Sequence, residues 1–218
     1  MRVFVDVDVQ HDFCEPRGAL YVPGSPNDLY RALVRHAVAR GAPIVGSVDS
    51  HAFDAWEFAS SGREGPGGER PGFPDHCVKG TPGWLKVSGT LPPRFRFVPN
   101  VPGASAEDLS AELASGAANG LYFEKEVYSL FVNPNAEAIL AALAARAGGP
   151  LDVIVFGVAT DYCVKAAALG LRARGYATTV LTDAVRGISE QGTRAALTAM
   201  ADAGCALRAC AELGVEGA

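Results

Sequence analysis

The 218-residue sequence has little of what marks a secreted, disulfide-stabilised protein. Its five cysteines are odd in number, widely spaced and without a CxxC pair: Cys14, Cys77, Cys163, Cys205 and Cys210. This spacing fits neither a disulfide framework nor a zinc-ribbon or thioredoxin-type motif. The cysteine pattern therefore predicts a protein of a reducing compartment.

Long apolar runs and clusters of basic residues are also missing. No run approaches the ~18 apolar residues that a membrane span needs, and the opening MRVFVDVDVQ carries carboxylates that a signal peptide would not. The formal net charge of −5 and the pI near 5.4 argue against nucleic acid or an anionic membrane as a partner. We therefore expect a cytoplasmic protein with a small-molecule substrate, and homo-oligomerisation stays open.

The most informative stretch begins at residues 151–158, an apolar run rich in β-branched residues that is typical of a buried strand. Apolar residues then recur at helical spacing: Val164, Ala167, Ala168 and Leu171. Thr160 or Asp161 is expected to cap this helix. Cys163 would lie just inside it, where the helix N-terminus lowers the pKa of a thiol. A nucleophilic thiol and an ordinary buried cysteine both fit this stretch.

Carboxylates lie within the first predicted strand, residues 3–9, whose valines share one face. Asp8 lies near the C-terminal end of this strand, where open parallel sheets bind ligands, and this position favours a functional role. Asp6 lies deeper on the same face and is expected to anchor local backbone N–H groups.

A second group of ligand-type side chains follows the predicted strand at residues 43–48. Asp49 and His51 lie on the same side of an extended segment, although a capping Asp49 with a solvated His51 fits equally well. Residues 52–83 then form a long Gly/Pro-rich loop, and such loops are usually functional. Glu57 and His76 in this loop could complete a site for zinc, iron or manganese.

The remaining pattern alternates between strands and helices. Strands are predicted at residues 94–98, 121–124 and 176–181, and helix starts at Ser25, Ser105, Asn133-Pro134 and Ser189. Lys125 follows one of these strands, and a lone lysine there is ordinarily solvated. Residues 201–218 fit either a short strand or a frayed helix.

This alternation predicts one α/β domain over residues 1–218, a three-layer α/β/α fold with a mostly parallel central sheet. Five side chains that could act in catalysis or metal binding would then lie at one rim of the sheet: Asp8, Asp49, His51, Lys125 and Cys163. Their convergence is the strongest physical indication of an active site. The turn at Gly157 lacks GxGxxG and does not indicate a dinucleotide site.

Several segments resemble the isochorismatase-like cysteine hydrolases, and among them the nicotinamidase/pyrazinamidase group. The matching segments are VDVDVQHDFCEPRGAL, DSH, FPDHC, FEKEVYS and GVATDYCVKAAALG, of which the last is the most specific. They cover most of the chain. The resemblance implies the isochorismatase-like hydrolase fold.

The resemblance also implies a role for individual residues. Asp8, Lys125 and Cys163 correspond to a catalytic triad. The backbone N–H groups of Ala159 and Cys163 correspond to an oxyanion hole, with a cis peptide before Ala159. The implied ligands of a divalent metal, most simply zinc with iron or manganese as alternatives, are Asp49, His51 and His76, with Glu57 as a ligand in some relatives.

Phe13 and Phe73 fall where the family has aromatic walls around a pyridine ring. Phe73 replaces a frequent tryptophan, and Glu126 follows Lys125 where relatives often have glycine.

The implied reaction is hydrolysis of nicotinamide to nicotinate and ammonia through a cysteine thioester, with the metal holding the substrate ring. Three alternatives remain at this point. The first is a relative that acts on another small amide, a carbamoyl compound or isochorismate. The second is a catalytically silent binding module, and the third is a hydrolase in which a metal-activated water replaces the thiol.

Overall fold

The central sheet has seven parallel strands in the order β3-β4-β2-β1-β5-β6-β7 in a computed structural model that describes residues 1–70 and 72–215. The strands are β1 (Arg2–Val7), β2 (Ile44–Asp49), β3 (Phe95–Val98), β4 (Gly120–Lys125), β5 (Asp152–Val158), β6 (Ala177–Arg186) and β7 (Ala206–Arg208). The predicted parallel sheet is therefore confirmed.

The helices cover both faces of this sheet, which confirms the three-layer architecture. They are α1 (His11–Cys14), α2 (Asn27–Ala39), α3 (Ala106–Ser115), α4 (Ala136–Arg146), α5 (Lys165–Ala173) and α6 (Glu190–Asp202). One buried cluster joins α3 to α6 with Val3, Val5 and Val7, and the other joins α1 and α2 with Phe4. None of the described helices has the length and apolarity of a membrane span.

The valine face predicted for residues 3–9 ends sooner than expected. β1 stops at Val7, and Asp8 has a positive φ of 50°. Val9 consequently packs in the cluster around α2 rather than with the other valines. The same turn directs the chain after Asp8 away from the sheet.

Two of the predicted helix caps are confirmed. Ser105 accepts a hydrogen bond from the Asp108 amide at 3.2 Å, and Ser189 accepts one from the Gly192 amide at 3.0 Å. The capping box at Ser25 was wrong, because its hydroxyl donates to the Val22 carbonyl at 2.8 Å and α2 begins at Asn27.

The cap predicted at Asn133-Pro134 is also absent. Helix α4 begins at Ala136. The Asn133 amide instead donates to the carbonyls of Val98, Pro99 and Glu124, at 2.9 to 3.1 Å. This side chain holds the ends of β3 and β4 together.

The turn around Cys163 differs from the expected helix start. Thr160–Val164 forms a π-helical turn, and α5 begins only at Lys165. The predicted cap by Thr160 or Asp161 was wrong, because Asp161 accepts hydrogen bonds from the amides of Ile188 and Ser189 instead, at 3.0 and 3.1 Å. Cys163 therefore precedes the α-helix.

The C-terminal tail contains the short strand β7 and a 3-10 turn at Cys210–Leu213. The strand alternative for this tail was therefore correct for its first part. The expectation for residues 216–218 lies outside the described residues.

Candidate active site

The C-terminal ends of four neighbouring strands bring Asp8, Asp49, Lys125 and Cys163 together at one rim. Asp49 and Lys125 are the last residues of β2 and β4 rather than the first residues beyond them, and they are direct partners in the sheet register. Asp8 and Cys163 lie just past β1 and β5. All four side chains are buried.

Lys125 is the centre of this group. Its Nζ lies 2.8 Å from Asp8 Oδ2 and 3.6 Å from Cys163 Sγ, and it also contacts Asp49 Oδ1. Burial alone would lower the pKa of Lys125, but Asp49, Asp8 and Cys163 outweigh it and raise the pKa well above its usual value. The expectation of a solvated lysine was therefore wrong, since two carboxylates from other strands stabilise the buried charge.

Asp8 is held on both oxygens. Oδ2 faces Lys125, and the Ser47 hydroxyl donates to Oδ1 at 2.8 Å. Burial raises the pKa of Asp8, helped by the nearby charge of Asp49, while Lys125 and Ser47 oppose the rise. A carboxylate with a raised pKa beside a cation is suited to accept and return a proton.

Cys163 lies within reach of Asp8, because the possible ligand atoms of Asp8, Asp49 and Cys163 are all within 4.8 Å of one another. Burial raises the pKa of the thiol well above its usual value, and the charge of Lys125 only partly opposes this. The expected lowering of the thiol pKa was therefore wrong in direction. A thiolate at this position must form by transfer of the proton to a nearby base.

The backbone before Cys163 is shaped by close contacts. The peptide bond between Val158 and Ala159 is cis, as the resemblance implies. The amides of Tyr162 and Val164 both donate to the Ala159 carbonyl at 3.1 Å. Gly157 has φ +124°, and a Cβ there would lie 2.0 Å from the Val7 carbonyl oxygen, so this position requires glycine.

A second cluster adjoins the first through Asp49. Its Oδ2 lies 3.8 Å from Nε2 of both His51 and His76. Glu57 Oε1 lies 2.9 Å from the same nitrogen of His51. These four residues are buried, so the structure brings together the residues that the sequence singled out as metal ligands.

The protonation of this cluster follows from its charges. Burial lowers the pKa of His51, but Asp49 and Glu57 outweigh it and raise the pKa to about 9. Burial raises the pKa of Asp49, yet Lys125 and the two imidazoles hold it well below its usual value. Asp49 is therefore ionised, and His51 is a cation when no metal is bound.

The donor atoms of this cluster fit a divalent metal. Separations of 3.8 Å are within the span of an ion with bonds of about 2.0–2.2 Å to histidine and carboxylate. His76 Nδ1 lies 2.8 Å from the Pro74 carbonyl oxygen, and Nε2 faces Asp49, an arrangement in which an outer contact orients a metal-binding imidazole. Neither ring nitrogen of His51 makes a well-formed hydrogen bond to any described residue, although both are buried.

A cavity opens between the two clusters. Its polar lining includes Cys163, Asp49 and His76, and its apolar lining includes Phe13, Leu20, Phe73, Tyr128, Tyr162 and Ile188. The Phe73 ring lies 5.9 Å from the rings of both His76 and Tyr162. The walls of the cavity therefore suit a flat ring with one polar edge.

Sequence reasoning missed several residues that shape the site. Ser47 and Gln10 are buried polar residues beside Asp8 and Asp49, and only their positions near strand ends could have indicated them. Asp6 was expected to bind local backbone, but its carboxylate lies 2.6 Å from Lys86 Nζ. Because Lys86 follows the long loop, no local pattern indicates this pair.

Comparison with known proteins agrees with the geometry. The isochorismatase domain model matches residues 2–212. The chain is 34% identical over 203 residues to a nicotinamidase/pyrazinamidase of Mycobacterium tuberculosis, covering 92% of this chain and 94% of the relative. It is 30% identical over 206 residues to a nicotinamidase of Escherichia coli, covering 87% of this chain and 85% of the relative.

Among solved structures, the fold is similar to that of a pyrazinamidase of Pyrococcus horikoshii in complex with zinc. The TM-score is 0.70 at 27% identity, and the match covers 95% of this chain and 98% of that one. The chain belongs to the isochorismatase family.

Proposed function

We propose that this protein hydrolyses nicotinamide to nicotinate and ammonia through a thioester on Cys163. The observation that carries the proposal is the buried Lys125, whose Nζ lies 2.8 Å from Asp8 and 3.6 Å from Cys163. The relatives of known name that cover most of the chain are nicotinamidases. The site geometry suits thiol-dependent hydrolysis in general, and these relatives favour nicotinamide as the substrate.

Asp8, Lys125 and Cys163 form the proposed catalytic triad. Asp8 accepts the thiol proton as Sγ attacks the amide carbonyl, because burial raises the pKa of Asp8 and makes its carboxylate a stronger base than an exposed one. Lys125 keeps its charge throughout and stabilises the thiolate as it forms. The nucleophile is thus activated during the reaction rather than stored as an anion.

The backbone N–H groups of Ala159 and Cys163 are proposed to hold the oxyanion of the tetrahedral intermediate. Such donors typically contribute about 3 kcal/mol each to transition-state stabilisation. Asp8 then returns its proton to the departing ammonia. Asp8 next takes a proton from the water that attacks the thioester carbonyl and passes it to Cys163 Sγ as the C–S bond breaks. This step restores the thiol and the Asp8 carboxylate and releases the acid product, which ionises to nicotinate.

Asp49, His51 and His76 are proposed as metal ligands, with Glu57 beside them as a fourth candidate. The bound ion, most simply zinc, would supply a ligand position for the ring nitrogen of the substrate. Phe13 and Phe73 would then enclose the ring from the apolar side of the cavity. This places the amide carbon near Cys163 by orientation, which is a large source of rate enhancement.

The test measures ammonia release from nicotinamide by purified protein, before and after chelation and after zinc is restored. We expect activity to disappear on chelation and to return with metal. Cys163→Ala should abolish activity, whereas Cys205→Ala, at another buried cysteine, should retain it.

The outcomes separate the alternatives. Activity in Cys163→Ala would show that a metal-activated water, not the thiol, is the nucleophile. No ammonia in any condition, with Cys163 still alkylated by iodoacetamide, would reject nicotinamide and indicate another substrate of this family.

A further inference from the structure

The side chain of Gln10 is fully buried and bonds the backbone of Asp49 in both directions. Its Oε1 accepts from the Asp49 amide at 2.8 Å, and its Nε2 donates to the Asp49 carbonyl at 2.9 Å. The same Nε2 donates to the Trp84 carbonyl at 2.8 Å. One carboxamide therefore joins the end of β2 to the end of the long loop.

The need for this contact arises where β1 leaves the sheet. The Asp8 amide donates to the Ser47 carbonyl at 3.1 Å, and at Asp8 the chain turns away with φ 50°. On the other side of β2, the Ser50 amide donates to the Lys125 carbonyl at 2.9 Å. The peptide groups of Asp49 face the space that β1 has vacated, and the Gln10 side chain occupies it as a strand backbone would.

Gln10 itself is held by backbone contacts to the segment around Lys86. Gln10 and Lys86 form an isolated antiparallel bridge. The His11 amide donates to the Leu85 carbonyl at 2.9 Å, and the Val87 amide donates to the Val9 carbonyl at 3.1 Å. The carboxamide is therefore presented to Asp49 from a fixed support.

We propose that Gln10 is a positioning residue that sets the carboxylate of Asp49 for two simultaneous tasks. Asp49 Oδ1 contacts Lys125, while Oδ2 faces Nε2 of His51 and His76. Both contacts depend on where the Asp49 backbone lies, because the aspartate side chain is short. The Gln10 carboxamide carries a donor and an acceptor side by side, which match the carbonyl and the amide of Asp49.

The inference rests on the proposed metal site, and its primary readout is metal affinity rather than activity. The dissociation constant for Zn²⁺ would be measured by competition with a chromogenic chelator. Gln10→Met keeps the length of the side chain and removes all three hydrogen bonds. We expect the affinity to fall about 10- to 100-fold, as is typical when the outer contacts of a metal ligand are lost.

Two further variants separate positioning from stability. Gln10→Glu keeps the acceptor for the Asp49 amide but turns an oxygen towards the carbonyls of Asp49 and Trp84, so we expect the affinity to fall in this variant too, and it serves if Gln10→Met does not fold. Asn135→Leu removes another buried carboxamide, one that bonds the backbone of Gly103, Ala104 and Val101. It should lower the melting temperature without changing the Zn²⁺ affinity.

The visible absorption spectrum of Co²⁺-loaded protein provides a second readout, since its intensity and position report the ligand geometry. We expect Gln10→Met to alter this spectrum and Asn135→Leu to leave it unchanged. If the parent protein binds Zn²⁺ and both Gln10 variants bind it with the same affinity, the inference about Gln10 is wrong while the proposed metal site stands. A parent protein that binds no Zn²⁺ would overturn the proposed metal site together with the inference.

Discussion

Asp49 and Lys125 are direct partners in the parallel pairing of β2 with β4, and their side chains form a buried ion pair at the rim of the sheet. One oxygen of Asp49 faces the lysine and the other faces the two imidazoles. Lys125 in turn contacts Asp8 and lies near Cys163. The proposed catalytic triad and the proposed metal site therefore interact electrostatically through the carboxylate of Asp49.

Replacement of Lys125 by methionine should remove the interaction between the triad and Asp49. Without the cation, the Cys163 thiol lies beside two carboxylates, so its pKa rises further and its thiolate becomes scarcer. We expect the rate of alkylation by iodoacetamide to fall at least about tenfold, since an opposite charge typically shifts a pKa by 1–3 units. The measurement is the alkylation rate at fixed pH, followed by mass spectrometry of the Cys163 peptide.

The matched control is Lys79→Met, because Lys79 forms an ion pair with Glu124 but has a half-exposed side chain. Its alkylation rate should equal that of the parent protein. Zn²⁺ should still bind to Lys125→Met. If Lys125→Met were alkylated as fast as the parent protein, Lys125 would have no role in activating the thiol.

That Asp8, Asp49, Lys125 and Cys163 share one rim could be predicted, because side chains at the C-terminal ends of parallel strands lie at the same edge of the sheet. Whether each side chain is buried could not. Lys125 looked like a surface lysine because its partners Asp8 and Asp49 lie on other strands.

The electrostatics of Cys163 was harder still to predict. The sequence predicted a helix start at Cys163, which would lower the pKa of the thiol. The α-helix begins only at Lys165, and burial and two nearby carboxylates raise the pKa instead. Within the π-helical turn, Asp161 likewise accepts hydrogen bonds from the amides of Ile188 and Ser189, 27 and 28 residues further along the chain, which no local pattern indicates. Local patterns therefore gave the position of the site but not its charge balance.

The buried pair of Asp6 and Lys86 should show strong energetic coupling. The two charges are 2.6 Å apart with fully buried side chains, and Lys86 Nζ also lies 5.1 Å from the centre of the Tyr122 ring. Lys86→Met should lower the free energy of unfolding by about 3–5 kcal/mol, because it leaves Asp6 without its partner. The double variant Asp6→Leu/Lys86→Met should recover most of this loss, as measured by urea denaturation.

The pH dependence provides a check on the same pair. Burial already raises the pKa of Asp6, with Lys86 opposing the rise, so removal of Lys86 must raise it further. When folding raises the pKa of a carboxyl, the folded protein loses stability as the pH rises above the pKa of that carboxyl in the unfolded state. Lys86→Met should therefore be least destabilised in acid. Equal loss in the single and double variants would contradict this coupling.

Zinc affinity should depend on pH through His51. In the metal-free protein burial lowers its pKa, but Asp49 and Glu57 raise it to about 9, so zinc must displace a proton. The dissociation constant should therefore fall as the pH rises towards 9, by up to about tenfold per unit. The stability that the charged His51 gives the metal-free protein should be full below its unfolded pKa and lost as the pH rises through about 9.

Glu57→Gln is the matched variant for this measurement, because it removes one of the two carboxylates that raise the His51 pKa. Its zinc affinity should cease to depend on pH at a lower pH than in the parent protein. Chelator competition across the range would measure both proteins. A dissociation constant that stays constant between about pH 7 and 8 in the parent protein would show that His51 binds no displaceable proton.

Phe73 should affect substrate binding more than chemistry. Its ring lies edge-on to Tyr162 and His76 at 5.9 Å and forms part of the apolar wall of the cavity. Phe73→Ala removes this wall, and the loss of an aromatic contact of about 0.5–1.5 kcal/mol should raise KM for nicotinamide roughly two- to tenfold. Because the triad is untouched, kcat should change less.

Phe73→Trp keeps an aromatic wall and should leave KM within about twofold of the parent value. Phe53→Ala controls for the loss of a phenyl ring, since Phe53 is 81% exposed. Steady-state kinetics on all three variants would separate the effects. A lower kcat with unchanged KM in Phe73→Ala would mean that the ring stabilises the reacting state rather than the bound substrate, because only interactions made in the transition state act on kcat alone.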